Sequence, residues 1–255
     1  MKTLRTLTIL GGLVILALAI GFIFQLRLVT SLWPWPDGRL SYLFIGSILA
    51  AVSVAALWIG WTGEFGALPA GSLNVLVIAA TTAVYFFQLV LQGGRPEMIP
   101  FGVVALVSVV ASGAAFLWSR RIPLNDSRPM PLLVRVSFGV FIVSLIMAGG
   151  ALAFRIPVFP WALNPDSSVI FGCIFIGDAF YFLYGLLYPR WHNAAGQLLS
   201  FLAYDLVLIG PFLLLFETVK PEYMLNLIVY VAVLVYSGGL AVYFLFVNSQ
   251  TRLGS

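Results

Sequence analysis

Charge is what this sequence has least of. Asp, Glu, Lys and Arg make up 9% of its 255 residues, where a soluble domain carries about a quarter. A water-facing surface cannot be built from that supply, so a water-soluble globular domain is excluded. Cysteine occurs once, as Cys173 inside an apolar run. No intrachain disulfide can form, and the redox compartment is not readable. Histidine also occurs once, as His192. One His and one Cys cannot supply a closed four-ligand zinc site or a bis-histidine haem. The only lysines, Lys2 and Lys220, lie outside the apolar runs, so a retinal Schiff base has no membrane-embedded amine. The basic residues are scattered, without the clusters that track phosphates, which excludes nucleic acid as a partner. There is no GxSxG, HExxH, P-loop or dinucleotide fingerprint. Ser–His chemistry would depend on His192, which the stretch "YPRWHNAAG" places in a loop beside Arg190 and Trp191 as an interfacial residue. The expectation is no metal, no cofactor and no catalytic residue, and the chain leans away from an enzyme.

What is abundant is apolar: 62% of the chain. A bilayer core takes ~20 apolar residues per helix. Eight segments meet that length, approximately 7–26, 41–61, 70–92, 99–119, 132–154, 168–188, 197–216 and 224–247. They show no polar–apolar alternation, so helices rather than a barrel cross the membrane. The opening stretch "MKTLRTLTILGGLVILALAIGFIF" has the two basic residues and the Ala17-Leu18-Ala19 of a signal peptide. Its apolar part runs past that point and is long enough to span, so a retained first helix is expected.

Four short matches repeat at one spacing. Pro34-Trp35 and Gly46 recur as Pro160-Trp161 and Gly172, a shift of 126. Ala70-Gly71 recurs as Ala195-Gly196, Arg95-Pro96-Glu97 as Lys220-Pro221-Glu222, and Ser112-Gly113 as Ser237-Gly238, each at 125. The fold class expected is therefore all-α and polytopic. Eight transmembrane helices form two parallel four-helix repeats, 1–127 and 128–255, related by a pseudo-two-fold axis along the membrane normal. Eight Lys and Arg fall on the side of the termini and five on the other. The positive-inside rule then puts both termini in the cytoplasm, and we expect a bacterial plasma membrane (cell inner membrane) as the location.

Several residues stand out on this frame. Trp33, Trp35 and Trp161 in the Pro-Trp loops suit the headgroup layer as interfacial anchors, with a lid over an entrance as the sharper reading. The two Pro-Glu pairs suit the first turns of the fourth and eighth helices. Ser112, Gly113, Ser237 and Gly238 are small residues that let helices approach closely. They imply that those two helices meet at the pseudo-axis, or else form a homodimer seam.

The residues that carry a functional expectation are Asp178, in "FIGDAFYF", and Asp205, in "FLAYDLVLIG". Both fall near the middle of an apolar run. An ionised acid there costs on the order of 2.5–3.5 kcal/mol on insertion scales. A purely structural transmembrane hydrogen bond returns under ~1 kcal/mol, which does not comfortably offset the cost. The repeat positions in the first half are Val52 or Ser53 and Ala80, so the scaffold does not require the acids. Two close carboxylates in low dielectric cannot both ionise easily, so one should hold its proton near neutral pH. Tyr181 and Tyr184 share a helix face with Asp178, and Tyr204 adjoins Asp205. Tyr181 or Tyr204 is expected to donate to one acid. Gly210-Pro211 beyond Asp205 removes a helical hydrogen bond and frees the Val207 carbonyl.

Asp178, Asp205, Tyr181, Tyr184 and Tyr204 thus form a candidate coupling or ligand site. The function expected is a small secondary transporter or a proton- or ion-coupled permease, moving a small ion or solute. The alternative is a non-transporting membrane subunit or sensor that binds a protein or lipid through its outer Pro-Trp loops. A third reading, an intramembrane enzyme using the acids as general acid and base, has no motif behind it.

Overall fold

The computed structural model describes residues 2–253. Among these there is no β-strand, only one antiparallel bridge between Pro129 and Arg190. Eight helices are long and apolar enough to cross a membrane. They are α1 (Lys2–Ile23), α2 (Arg39–Thr62), α3 (Phe65–Gly93), α4 (Pro96–Ser119), α5 (Leu132–Ala153), α6 (Pro165–Leu187), α7 (Trp191–Leu215) and α8 (Pro221–Val247). The protein is all-α and multi-pass, an integral membrane protein. In lipid every backbone N–H and C=O must be satisfied within the chain, and a helix does this segment by segment.

The helix ends follow local chemistry. Helices α4 and α8 open with 3-10 turns at Pro96–Met98 and Pro221–Tyr223. Proline loses nothing there because the first-turn N–H is unpaired anyway, and Glu97 and Glu222 face the positive end of the helix dipole. Helices α1 and α5 close alike. Gln25 (φ 53) and Arg155 (φ 60) adopt the left-handed conformation. The next residue's N–H then turns back, Leu26 to the Gly21 carbonyl at 2.8 Å and Ile156 to the Ala151 carbonyl at 2.9 Å. This is the paired-bond helix stop that ordinarily uses glycine.

Two starts differ from the sequence expectation. Helix α6 begins at Pro165, so Asp166 lies in its first turn rather than in the preceding loop. Helix α7 begins at Trp191, so His192 is helical and not a loop residue. A polar residue at a membrane surface need not end a helix; only the short stretch Tyr188–Arg190 makes the break. Helix α7 also continues through Pro211 to Leu215, so that proline does not interrupt it.

By contacts the chain forms two compact units. One takes α1, α2, the loop Pro157–Asn164, and α7 from Ala194 onward with α8. Here α1 and α2 pack closely along small residues. A Cβ on Gly46 would come within 3.1 Å of the Ala19 carbonyl oxygen, and Ser53 donates to the Gly12 carbonyl at 2.9 Å. Leu43, Leu208, Phe212, Leu227 and Leu234 form an apolar core against which Trp161 packs. Trp161 also donates its indole N–H to Ser41 Oγ at 3.1 Å.

The other unit takes α3, α4, α5 and α6 with the residues through Asn193. Helices α5 and α6 cross so closely that a Cβ on Gly172 would lie 2.7 Å from the Gly149 carbonyl oxygen. Phe138 and Phe141 stack around Phe182, with centroids 4.9 and 5.5 Å away. The loop after α4 is stitched to the α6–α7 turn: Met130 N–H donates to the Pro189 carbonyl at 2.9 Å, and Trp191 N–H to the Arg128 carbonyl at 2.7 Å. In that loop Arg128 grips Asp126 with Nε at 2.8 Å and Nη2 at 2.6 Å. The Arg128 hydrogen bonds hold the Asp126 carboxyl below its ordinary range.

Candidate functional site

Asp178 lies about midway along α6 and belongs to the second unit, with α3 as its neighbour. Its position follows from the residue before it. A Cβ on Gly177 would run into the Ile78 side chain and come within 3.0 Å of the Asn74 carbonyl oxygen. Glycine therefore lets α6 lie against α3 at that level. The next side chain then reaches across: Asn74 Nδ2 donates to Asp178 Oδ1 at 2.7 Å. Asn74 is buried, and its own Oδ1 has no hydrogen-bond partner among the described residues.

Asp205 lies near the middle of α7, in the first unit, and is 4% exposed. Its Oδ2 accepts from Ser237 Oγ of α8 at 2.9 Å, while Oδ1 is buried without a hydrogen-bond partner among the described residues. A glycine again leaves the room. A Cβ on Gly238 would stand 3.4 Å from Asp205 Oδ2, so no larger residue sits between the carboxylate and the helix that caps it. Ser237 is shared, because its hydroxyl also lies 2.7 Å from the Val233 carbonyl of its own helix.

The other expected site residues are distributed as follows. The Tyr204 hydroxyl pairs with the Tyr230 hydroxyl of α8. Tyr181 is buried, with its ring 5.7 Å from Phe182. Tyr184 has its ring 4.7 Å from Tyr188 and 6.1 Å from Phe116. Of the small pairs, Ser237-Gly238 is turned to Asp205. Ser112 bonds back to the Ser108 carbonyl at 2.5 Å, and a Cβ on Gly113 would make an ordinary contact with Leu76 of α3 at 3.9 Å. Among the interfacial candidates, Trp33 donates to Asp37 Oδ2 at 2.9 Å, and Trp35 is buried with its ring 6.0 Å from that of Trp33.

Asn74 was missed by the sequence reading. It is a neutral amide inside "SLNVLVIAA", and a neutral amide leaves no charge signal in an apolar run. A search for any residue with hydrogen-bonding capacity near mid-span would have found it. Among the described residues, no three His, Cys, Asp or Glu side chains gather as a metal site. What the two sites offer is carboxylate, amide and hydroxyl oxygen, the hard donor set that suits a proton or an alkali cation. Comparison with protein-family models, with curated proteins and with solved structures finds no match for this chain.

Proposed function

We propose that the chain is a small secondary transporter or proton- or ion-coupled permease, with Asp178 and Asp205 as its coupling residues. One observation carries this reading. Each mid-span acid stands with a buried oxygen that has no hydrogen-bond partner among the described residues, Asn74 Oδ1 beside Asp178 and Asp205 Oδ1 itself. Leaving a buried acceptor unpaired costs about 1–3 kcal/mol, and an apolar pair at these positions would avoid the cost. A proton or cation that comes and goes gives the oxygens a use. The Ser237 hydroxyl supports the proton version. It has one hydrogen and two close acceptors, the Val233 carbonyl and Asp205 Oδ2, with the Leu234 carbonyl farther off at 3.4 Å. A proton on Asp205 lets both contacts be hydrogen bonds, in a chain from Asp205 to Ser237 to Val233.

The repeat belongs to the same proposal: two parallel four-helix halves, related by a pseudo-two-fold axis along the membrane normal. The make-up of the units supports it. The shift of 125 or 126 residues carries the set α1, α2, α7, α8 onto α5, α6, α3, α4. Close approaches correspond as well. Gly46 approaches Ile23, and Gly172, 126 residues later, approaches Gly149, which is Ile23 shifted by 126. With an even number of spans both termini lie on one side, and the Lys and Arg excess there makes it the cytoplasm of a bacterial inner membrane. The subunit or sensor reading is weaker, because the loop tryptophans turn inward: Trp161 onto Ser41 and Trp35 into burial.

Reconstitution into liposomes with an internal pH-sensitive dye tests the proposal. Wild type should couple an imposed sodium or potassium gradient to proton movement, and Asp178→Asn should fold normally and abolish it. Wild-type traces identical to those of protein-free liposomes under every gradient would remove the transport reading.

A further inference from the structure

A second polar cluster lies within the second unit, apart from Asp178. Asp166, in the first turn of α6, is buried. Its Oδ1 accepts from the Tyr85 hydroxyl of α3 at 2.7 Å, and its Oδ2 from Arg95 Nη1 at 2.6 Å. Arg95 comes from the α3–α4 junction. Arg155, from the end of α5, approaches Oδ1 with Nη2 at 3.7 Å and the Tyr85 hydroxyl at 3.5 Å. Two guanidiniums share the Asp166 carboxylate, and the Glu97 carboxylate acts on Arg95 from farther off. Neither guanidinium is used up. The side chains of Arg95 and Arg155 are 43% and 54% exposed. Among the described residues Arg155 makes just those two long contacts, which leaves most of its five N–H donors for a ligand.

Position and surroundings narrow what fits. Arg95, Glu97, Arg155 and Asp166 all lie at span ends, where the apolar band gives way to headgroups. The apolar neighbours are turned outward: Leu91 is 84% exposed, Phe154 83% and Ile156 55%. The proposed repeat has no counterpart of the Asp166–Tyr85 pair, although a cation stands at the Arg95 position. At the repeat shift, Arg95, Asp166 and Tyr85 correspond to Lys220, Leu40 and Gly210, and the left-handed residue that closes α1 is the uncharged Gln25. Arg155 holds φ 60, where glycine or asparagine is the ordinary choice. A guanidinium is kept at a backbone position that disfavours its side chain.

We propose that Arg95 and Arg155, fixed in place by Asp166 and Tyr85, form an oxyanion site that takes the phosphate of a lipid headgroup. The fork of each guanidinium matches phosphate oxygens, and the exposed Phe154 and Leu91 meet the acyl chains. The site goes beyond the transport reading and does not depend on it.

Arg155→Gly makes the test clean, because glycine suits the left-handed backbone and removes only the side chain. In neutral detergent this variant should melt no lower than wild type. Phosphatidylglycerol should raise the wild-type melting temperature and remain bound in native mass spectrometry. Arg155→Gly should need about tenfold more lipid for the same shift, as expected for one lost charge-assisted contact. Diacylglycerol, which lacks the phosphate, should shift neither. Equal responses of the two proteins to phosphatidylglycerol would show a structural ion pair only and overturn the proposal. Millimolar inorganic phosphate that reproduces the shift and displaces the lipid would overturn the lipid assignment in favour of a free-phosphate site. If Arg155→Gly fails to fold, Arg95→Gln decides by the same comparison.

Discussion

Adjacent glycines on α5 give opposite expectations from the same substitution. A Cβ on Gly149 would lie 2.9 Å from the Gly172 carbonyl oxygen and 3.2 Å from the Ile176 backbone nitrogen. Both are backbone atoms, so α5 and α6 must part to admit a methyl. A Cβ on Gly150 would meet nothing within 4 Å. Replacing glycine by alanine in a helix gains roughly 0.8–1 kcal/mol at either place. Overpacking costs about 1–3 kcal/mol and applies only at Gly149. The gain is common to both, so the difference between the variants is the packing cost alone, about 1–3 kcal/mol. Gly150→Ala should be stabilised, and Gly149→Ala should be less stable than Gly150→Ala by that margin. Reversible unfolding in mixed detergent micelles, followed by helical circular dichroism, reads both. Equal stabilities would refute the close crossing of α5 and α6.

Ser237→Ala should destabilise the protein by about 1–3 kcal/mol in the same assay, because it strips buried Asp205 of its hydrogen-bond partner; no change would mean that the serine contact carries nothing. Asp126 gives a pH dependence. Its carboxyl is held below the ordinary value by Arg128, so its contribution is complete above pH ~4 and lost as pH falls through the lower folded value. Acid unfolding of Asp126→Asn, followed from pH 6 to pH 2, should show a shallower stability loss below pH ~4 than wild type. Identical profiles would remove the Arg128 grip as a source of stability.

The eight spans were legible because lipid enforces one pattern, long apolar runs with Pro, Gly and charge at the breaks. Their starts were less legible. Trp191, His192 and Asn193 look like loop yet form the first turn of α7, since the membrane surface accepts polar helical residues. Asp166 was hidden for the same reason: after Pro165 it reads as loop, while its side chain is buried under Tyr85 and Arg95. Asp178 and Asp205 were visible as isolated charges, but their partners were not. Asn74 carries no charge, and Ser237 was read for its small size when its hydroxyl is what reaches Asp205. Tyr204 adjoins Asp205 in sequence, yet consecutive helical residues point apart, and its hydroxyl goes to Tyr230. Hydropathy names the elements that cross a membrane; it does not say which pair of them meets at a given level.

The most direct test of the coupling claim is a high-resolution experimental density map of the protein in lipid, with sodium or potassium present, inspected at Asn74 and Asp178. Coupling at Asp178 requires an ordered water or cation within hydrogen-bonding or coordination distance of both Asn74 Oδ1 and the Asp178 carboxylate, and that density is the expected result. Continuous apolar packing around that amide oxygen and carboxylate, with the Asn74–Asp178 bond as their only polar contact, would contradict it.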